Sequence, residues 1–134
     1  MIIRNWYVCM NDRLRPFGLS VGQLPILIHL AEVSNVTQET LVRHIRIDKG
    51  AIARAARRLE DDGFIKREID PADRRAVRLS LTAQGRNILP EIRHLEDEWE
   101  REICAGLAPD DVRTLRGLLA RVAGNAAERG CGNE

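Results

Sequence analysis

The sequence predicts a mainly α fold with one small β-hairpin, an α+β protein. Two observations carry this. Apolar residues recur at three-to-four spacing along most of the chain, and they switch to strict alternation only between residues 64 and 81. Hydrophobic residues make up 44% and charged residues 31% of 134 residues, which suits a globular chain of one domain, or a domain with an extension.

The elements follow in order. Residues 2–17 read as a helix, with Ile3, Trp6 or Tyr7, Met10, Leu14 and Phe17 on one face and Pro16 and Gly18 at its end. Ser20 reads as an N-cap with Gln23 as its capping-box partner. The helix that follows, to about Val33, is apolar through Leu24, Ile26, Leu27, Ile28 and Leu30, and it carries Pro25 in an early turn, where the missing N–H matters least. Thr37 caps a short helix to about His44, with Leu41 and Ile45 inward. Asp48 caps the next, Lys49 to Asp62, whose buried stripe is Ile52, Ala55 or Ala56, and Leu59. Gly63 suits the residue just past that helix.

Phe64 to Ile69 then reads as a strand, Asp70-Pro71-Ala72-Asp73 as a turn, and Ala76 to Leu81 as the return strand. Thr82 caps a long helix to about Ile103 through Ile88, Ile92, Leu95 and Trp99. After a break at 106–110, Pro109 opens a last helix through Leu115, Leu118, Leu119 and Val122. Residues 128–134 are expected to be a disordered tail. A short helix, a tight connection and a second helix make a helix-turn-helix, and the basic hairpin after it makes it winged. The outer helices are too apolar for a small monomer and call for a partner subunit.

Charge distribution points the same way. The net charge is only +1, yet residues 37–86 hold 12 Lys/Arg against 8 Asp/Glu, while the remainder is net acidic. A positive centre in an acidic frame suggests that the centre meets a polyanion.

Several motifs resemble the multiple antibiotic resistance regulator (MarR) family. Asp73-Arg74-Arg75-Ala76-Val77-Arg78-Leu79-Ser80-Leu81-Thr82-Ala83-Gln84-Gly85-Arg86 is similar to its wing signature, Asp-x-Arg followed by alternating apolar residues and Leu-Thr-x-x-Gly. Leu59 to Arg67 is similar to its junction of recognition helix and wing, and Gly18-Leu19-Ser20 with Gln23 and Thr37-Gln38-Glu39 with Leu41 match further positions. The resemblance spans residues 14–125. It implies one MarR-like domain over 1–134, with a winged DNA-binding lobe at 20–82 and dimerisation helices at 1–17 and 83–127. It further implies a homodimer on a pseudo-palindromic duplex operator, usually a repressor, released in many members by a phenolic or other small aromatic ligand.

The helix at 48–62 is expected in the major groove, with Lys49, Ala51, Arg54, Arg57 and Arg58 as its DNA-facing set. Arginine suits bidentate contact to guanine. Arg58 has a second reading, toward Glu60-Asp61-Asp62. The wing is expected to border the minor groove through Arg74 and Arg75, with Asp73 holding Arg75 by a charge-assisted bond or stabilising the turn. Lys66, Arg67 and Arg78 are expected on phosphates, as are Arg43 and Arg46. Trp6, Tyr7, Met10, His29 and Trp99 are candidate effector-pocket residues, with plain core packing as the alternative.

Other classes fit less well. His29, His44 and His94 stand in no His-x-x-x-His pattern, and no Gly-x-Ser-x-Gly or phosphate-loop motif occurs, so an enzyme is not expected. Cys9, Cys104 and Cys131 are odd in number and widely spaced, which suits neither a disulfide framework nor a metal site, and no cofactor is implied. Thiol sensing is a further alternative, but Cys9 lies only nine residues before Gly18, out of register with the peroxide-sensing branch. A winged module that binds protein instead of DNA is the other rival. No apolar run is long enough to span a membrane, and the start Met1-Ile2-Ile3-Arg4-Asn5-Trp6 does not resemble a signal peptide, so the expected location is the cytoplasm.

Overall fold

A computed structural model describes residues 2–130. The order is α1 (Ile2–Leu14), 3-10 turns at Arg15–Phe17 and Val21–Gln23, α2 (Leu24–Glu32), β1 (Val36–Thr37), α3 (Gln38–Ile45), α4 (Lys49–Asp61), β2 (Ile65–Ile69), β3 (Val77–Leu81), α5 (Ala83–Ile103) and α6 (Pro109–Glu128). The chain divides into two compact units, residues 1–97 and 98–134.

The first unit has one core. Met10 and Leu14 of α1, Ile26 and Leu27 of α2, Leu41 of α3, Ile52, Ala56 and Leu59 of α4, Leu79 of β3 and Ile92 of α5 are all buried. These are the apolar positions that helical and strand periods bring to one side. Local chemistry fixes the ends of the elements. The expected helix at 2–17 stays α only to Leu14. It then tightens into a 3-10 turn through Pro16 and stops at Gly18, whose φ is +73°. The Ser20 N–H donates to Gln23 Oε1 at 2.9 Å, and the Val21 N–H donates to Asn11 Oδ1 at 2.9 Å, which ties the entry of α2 to α1. Thr37 Oγ1 accepts from the Thr40 N–H at 3.1 Å, and Asp48 Oδ2 accepts from the Ala51 N–H at 3.0 Å. Both supply acceptors to orphan amides at a helix start.

The hairpin is in fact a three-stranded antiparallel sheet of order β1-β3-β2. Ile65 pairs with Leu81 and Ile69 with Val77, while Val36 pairs with Leu79 and Thr37 with Arg78. A two-residue strand has no readable alternation, which is why β1 escapes a pattern search.

One junction joins the end of α4, both wing strands and the start of α5. Gly63, at φ +83°, turns the chain out of α4, and the Phe64 N–H donates to the Leu59 carbonyl at 2.9 Å. Thr82 Oγ1 donates to the Gly63 carbonyl at 2.6 Å and accepts from the Gly85 N–H at 3.1 Å. The Thr82 N–H donates to the Phe64 carbonyl at 3.1 Å, and Gln84 Nε2 donates to the Asp62 carbonyl at 3.2 Å. Gly85 is required by space: a Cβ there would lie 2.1 Å from the Phe64 carbonyl oxygen.

The second unit holds the end of α5 and all of α6, joined by a turn with Gly106 at φ +87°. Asp110 and Asp111 sit in the first turn of α6, where they favour its dipole. Arg116 Nε donates to Glu100 Oε1 at 2.6 Å across the two helices. Leu115, Leu118, Leu119 and Val122 all remain exposed. α6 runs through Glu128, so the expected tail begins within helix, and residues 131–134, with Cys131, lie outside the described residues. Among the described residues, no helix is long and apolar enough to cross a membrane.

Candidate nucleic-acid interface

α4 separates its two faces by spacing alone. Ile52, Ala56 and Leu59 face the core, and Lys49, Arg54, Arg57 and Arg58 are exposed, with Ala51 half-buried between. Arg54, Arg57 and Arg58 share a face at i, i+3 and i+4. The Arg54 guanidinium folds back over Gly50, where a Cβ would stand 3.2 Å from Nη1 and 3.1 Å from Asp48 Oδ2. Glycine at 50 therefore leaves room for that arginine. The turn into α4 passes through Arg46 at φ +56°, a left-handed conformation that an L-residue enters at a cost. It holds because the Arg46 N–H closes α3 on the Val42 carbonyl at 3.2 Å.

The wing tip is a stack of short turns around two aspartates. Asp70 Oδ1 accepts from the Ala72 N–H at 3.0 Å, and the Asp70 N–H donates to the Ala76 carbonyl at 2.9 Å. Asp73 Oδ1 accepts from the Arg75 backbone N–H at 3.0 Å. The bond from Asp73 thus reaches the main chain of Arg75, not its guanidinium. It fixes the turn and leaves the Arg75 side chain free to face outward. Arg74 and Arg75 are both exposed.

Ion pairing divides the sequence-predicted cations into two sets. Lys66 Nζ lies 2.6 Å from Glu68 Oε1, and Arg67 Nε lies 3.5 Å from Glu60 Oε2. Arg78 Nε lies 3.1 Å from Asp70 Oδ2, and Arg78 Nη1 donates to the Asn35 carbonyl at 2.8 Å. Asp70 is buried, so Arg78 neutralises an interior carboxylate and pins the hairpin to the loop before β1. Arg43, Arg46, Lys49, Arg54, Arg57, Arg58, Arg74 and Arg75 enter no ion pair among the described residues. Every one of them is exposed, and they come from α3, the turn after it, α4 and the wing tip. Asn35 and Asp70 are the residues that sequence reasoning missed. Asp70 looked like a plain turn residue, and the carbonyl of Asn35, 43 positions from Arg78, leaves no trace in a pattern.

The candidate effector residues differ in burial. Met10 is fully buried core, Trp6 and His29 are half-buried, and Tyr7 is exposed. The His29 ring lies against His44, centroids 5.4 Å apart. Trp99 is half-buried in the second unit. A cleft of about 240 Å³ opens beside α4, lined by Gln23, Ile47, Ile52, Ala55, Arg54 and Arg58 among others. Gln23 is 2% exposed. Its Oε1 is held by Ser20, and its Nε2 has no acceptor. Cys9 and Cys104 are free, half-buried thiols.

A helix-turn-helix followed by a wing, with unpaired arginines on both, defines a winged-helix protein. The MarR family profile matches residues 19–77. YybA of Bacillus subtilis, an uncharacterized HTH-type transcriptional regulator, is 30% identical over 126 residues, 93% of this chain and 83% of its own length. A crystal structure of MarR superposes with a TM-score of 0.89 at 33% identity, covering 95% of this chain and 93% of that one. A cysteine-to-serine variant of E. coli MarR, solved in complex with operator DNA, superposes with a TM-score of 0.77 at 28% identity, covering 91% and 88%. The chain belongs to the MarR family of transcriptional regulators.

Proposed function

We propose that the chain is a homodimeric, sequence-specific binder of duplex DNA, a repressor released by a small ligand. The observation that carries this is the unpaired set of cations. A cation already bonded to a carboxylate has little to offer a phosphate, whereas an unpaired one displaces counterions from DNA. In this reading α4 lies in the major groove, with Lys49, Arg54 and Arg57 at base edges. Arg58, Arg43 and Arg46 flank it on phosphates, and Arg74 and Arg75 enter or border the minor groove. Lys66 and Arg67 take a lesser part, because each would first have to leave a carboxylate.

Dimerisation is supported by apolar surface that the described chain leaves uncovered: Ile2, Ile3, Tyr7 and Val8 on α1, and Leu115, Leu118, Leu119 and Val122 on α6. Pairing through 1–17 and 83–127 would set two lobes, each residues 20–82, about 34–36 Å apart, one helical turn of DNA. Work on an operator places the protein in the cytoplasm. Ligand release is supported by the cleft beside α4. Two arginines at its edge and a free amide donor inside suit a small aromatic anion, which would take Arg54 and Arg58 away from DNA.

The test is a gel-shift titration of genomic operator fragments across a salt series. A dimer neutralising roughly 8 phosphates gives a log–log slope near −7, from about −0.9 per phosphate. A flat salt dependence would end the proposal.

A further inference from the structure

Arg54 stands one helical turn after Gly50, so the two lie one above the other on the same face of α4. A long side chain on a helix leans back toward the N-terminus, over the turn before its own. That path takes Arg54 across Gly50. A Cβ at Gly50 would stand 3.2 Å from Arg54 Nη1 and 3.1 Å from Asp48 Oδ2, both tighter than ordinary van der Waals contact. The guanidinium therefore occupies space that any side chain at 50 would fill. It lies along the first turn of α4, although its own Cα belongs to the second. Asp48 does not tie it down. The Asp48 Oδ2 accepts from the Ala51 N–H at 3.0 Å, and no ion pair joins Asp48 to Arg54 among the described residues. The arginine's fork of donors stays open. α4 carries no Asn or Gln, the side chains that pair with adenine, so guanine is the base that its polar side chains suit.

We propose that Gly50 is a positioning residue for Arg54: its missing side chain brings the guanidinium down to the first turn of α4, and so makes guanine the base selected at one position of the site. This role rests on the DNA reading above. The early residues of a recognition helix are the ones that meet base edges. An arginine propped outward by a methyl group at 50 would reach phosphates instead, which position without specifying. A bidentate contact also needs its two nitrogens held in line with the base edge, and a guanidinium already laid in place loses less freedom on forming it. The change to alanine is mild for the helix, because alanine is the better helix former. Gly50→Ala therefore separates base choice from stability.

The experiment is a binding-site selection from a randomised duplex library, followed by competition titrations and thermal melts. It uses the full chain, Gly50→Ala, Arg54→Ala and the double variant. The position read by Arg54 is the one whose preference Arg54→Ala erases. There the wild type should prefer guanine over the other bases by about tenfold. Gly50→Ala should cut that preference several-fold, keep the preferences elsewhere, and melt no lower than wild type. In the Arg54→Ala background it should change nothing further, because the glycine acts only through the arginine. A base other than guanine at that position would overturn the proposal. So would a Gly50→Ala protein that keeps the guanine preference, or one that melts lower, the mark of a lost Asp48 cap. Weaker binding to all duplexes alike would point to a methyl group against the DNA itself, and would overturn it too, as would an equal shift in preference without Arg54. A wild type that selects no sequence would instead refute the DNA reading, and this role with it.

Discussion

Arg78 and Arg75 stand three residues apart in the wing, and only Arg78 is engaged by a carboxylate among the described residues. Replacing Arg78 with alanine removes the cation from Asp70, whose side chain is only 10% exposed, and the donor from the Asn35 carbonyl. A hydrogen bond to a charged group contributes about 1.5–3 kcal/mol. Stranding a buried charge costs about 3–5 kcal/mol. The Arg78 side chain is 35% exposed, so water already screens part of the pair, and the cost falls below that range. The expected loss is about 2–3 kcal/mol, which moves a urea midpoint down by roughly 0.7–3 M for an m-value of about 1–3 kcal/mol/M.

Arg75→Ala should leave that midpoint within about 0.5 kcal/mol of wild type, because its exposed side chain touches no carboxylate. It should instead weaken operator binding and reduce the salt slope by about 2, one phosphate per subunit of a dimer. Urea unfolding at fixed protein concentration and gel shifts on the same three proteins read both quantities. An Asp70/Arg78 double-mutant cycle isolates the coupling. If Arg78→Ala unfolds at the wild-type midpoint and loses DNA in the manner of Arg75→Ala, then the ion pair is ornamental and Arg78 is a phosphate contact.

Three further outcomes follow from local geometry. Arg46→Gly relieves a left-handed arginine and should stabilise the fold by about 0.5–1 kcal/mol, once the added freedom of the unfolded glycine is subtracted, while operator affinity drops; a stability loss in thermal melts would contradict this. Gly85→Ala puts a methyl group against the Phe64 carbonyl and should cost about 2–3 kcal/mol, read as a lowered urea midpoint; a neutral result would mean that the junction is soft. Glu96→Gln bears on pH. The carboxyl of Glu96 is raised in the folded state, so its stabilising contribution is complete below the unfolded value of 4.5 and is lost as pH rises through the folded value. The glutamine variant should therefore be the more stable protein at neutral pH and lose that advantage in acid; an advantage that grows in acid would refute the sign.

Much of the fold was legible because its signals are local. Thr37 and Asp48 sit at helix starts and bond the amides that capping predicts, Gly63 takes the left-handed turn that ends α4, and the inward positions of α4 follow from period alone. What stayed illegible was tertiary. β1 exists because β3 offers it a ladder, not because Val36-Thr37 demands a strand. Arg78 looks like any wing arginine until Asp70 and Asn35 are placed beside it. Period cannot separate a lining residue from core, and for Met10 burial favours the core-packing alternative. The cleft beside α4 is defined by a pair of elements, and its buried Gln23 was marked in the sequence only as a capping residue.

The knot at Gly63, Thr82 and Gly85 has a mechanical consequence. Three hydrogen bonds and a glycine with no room for a methyl group weld the last turn of α4 to the first turn of α5, with both wing strands clamped between them. There is no hinge at this point. A tilt imposed on the start of α5 has nowhere to dissipate before it reaches the arginines, so helix and wing must change pitch together. α5 is then a tiller for α4 and the wing: a push on its first turns would swing both in one stroke, instead of loosening them one at a time.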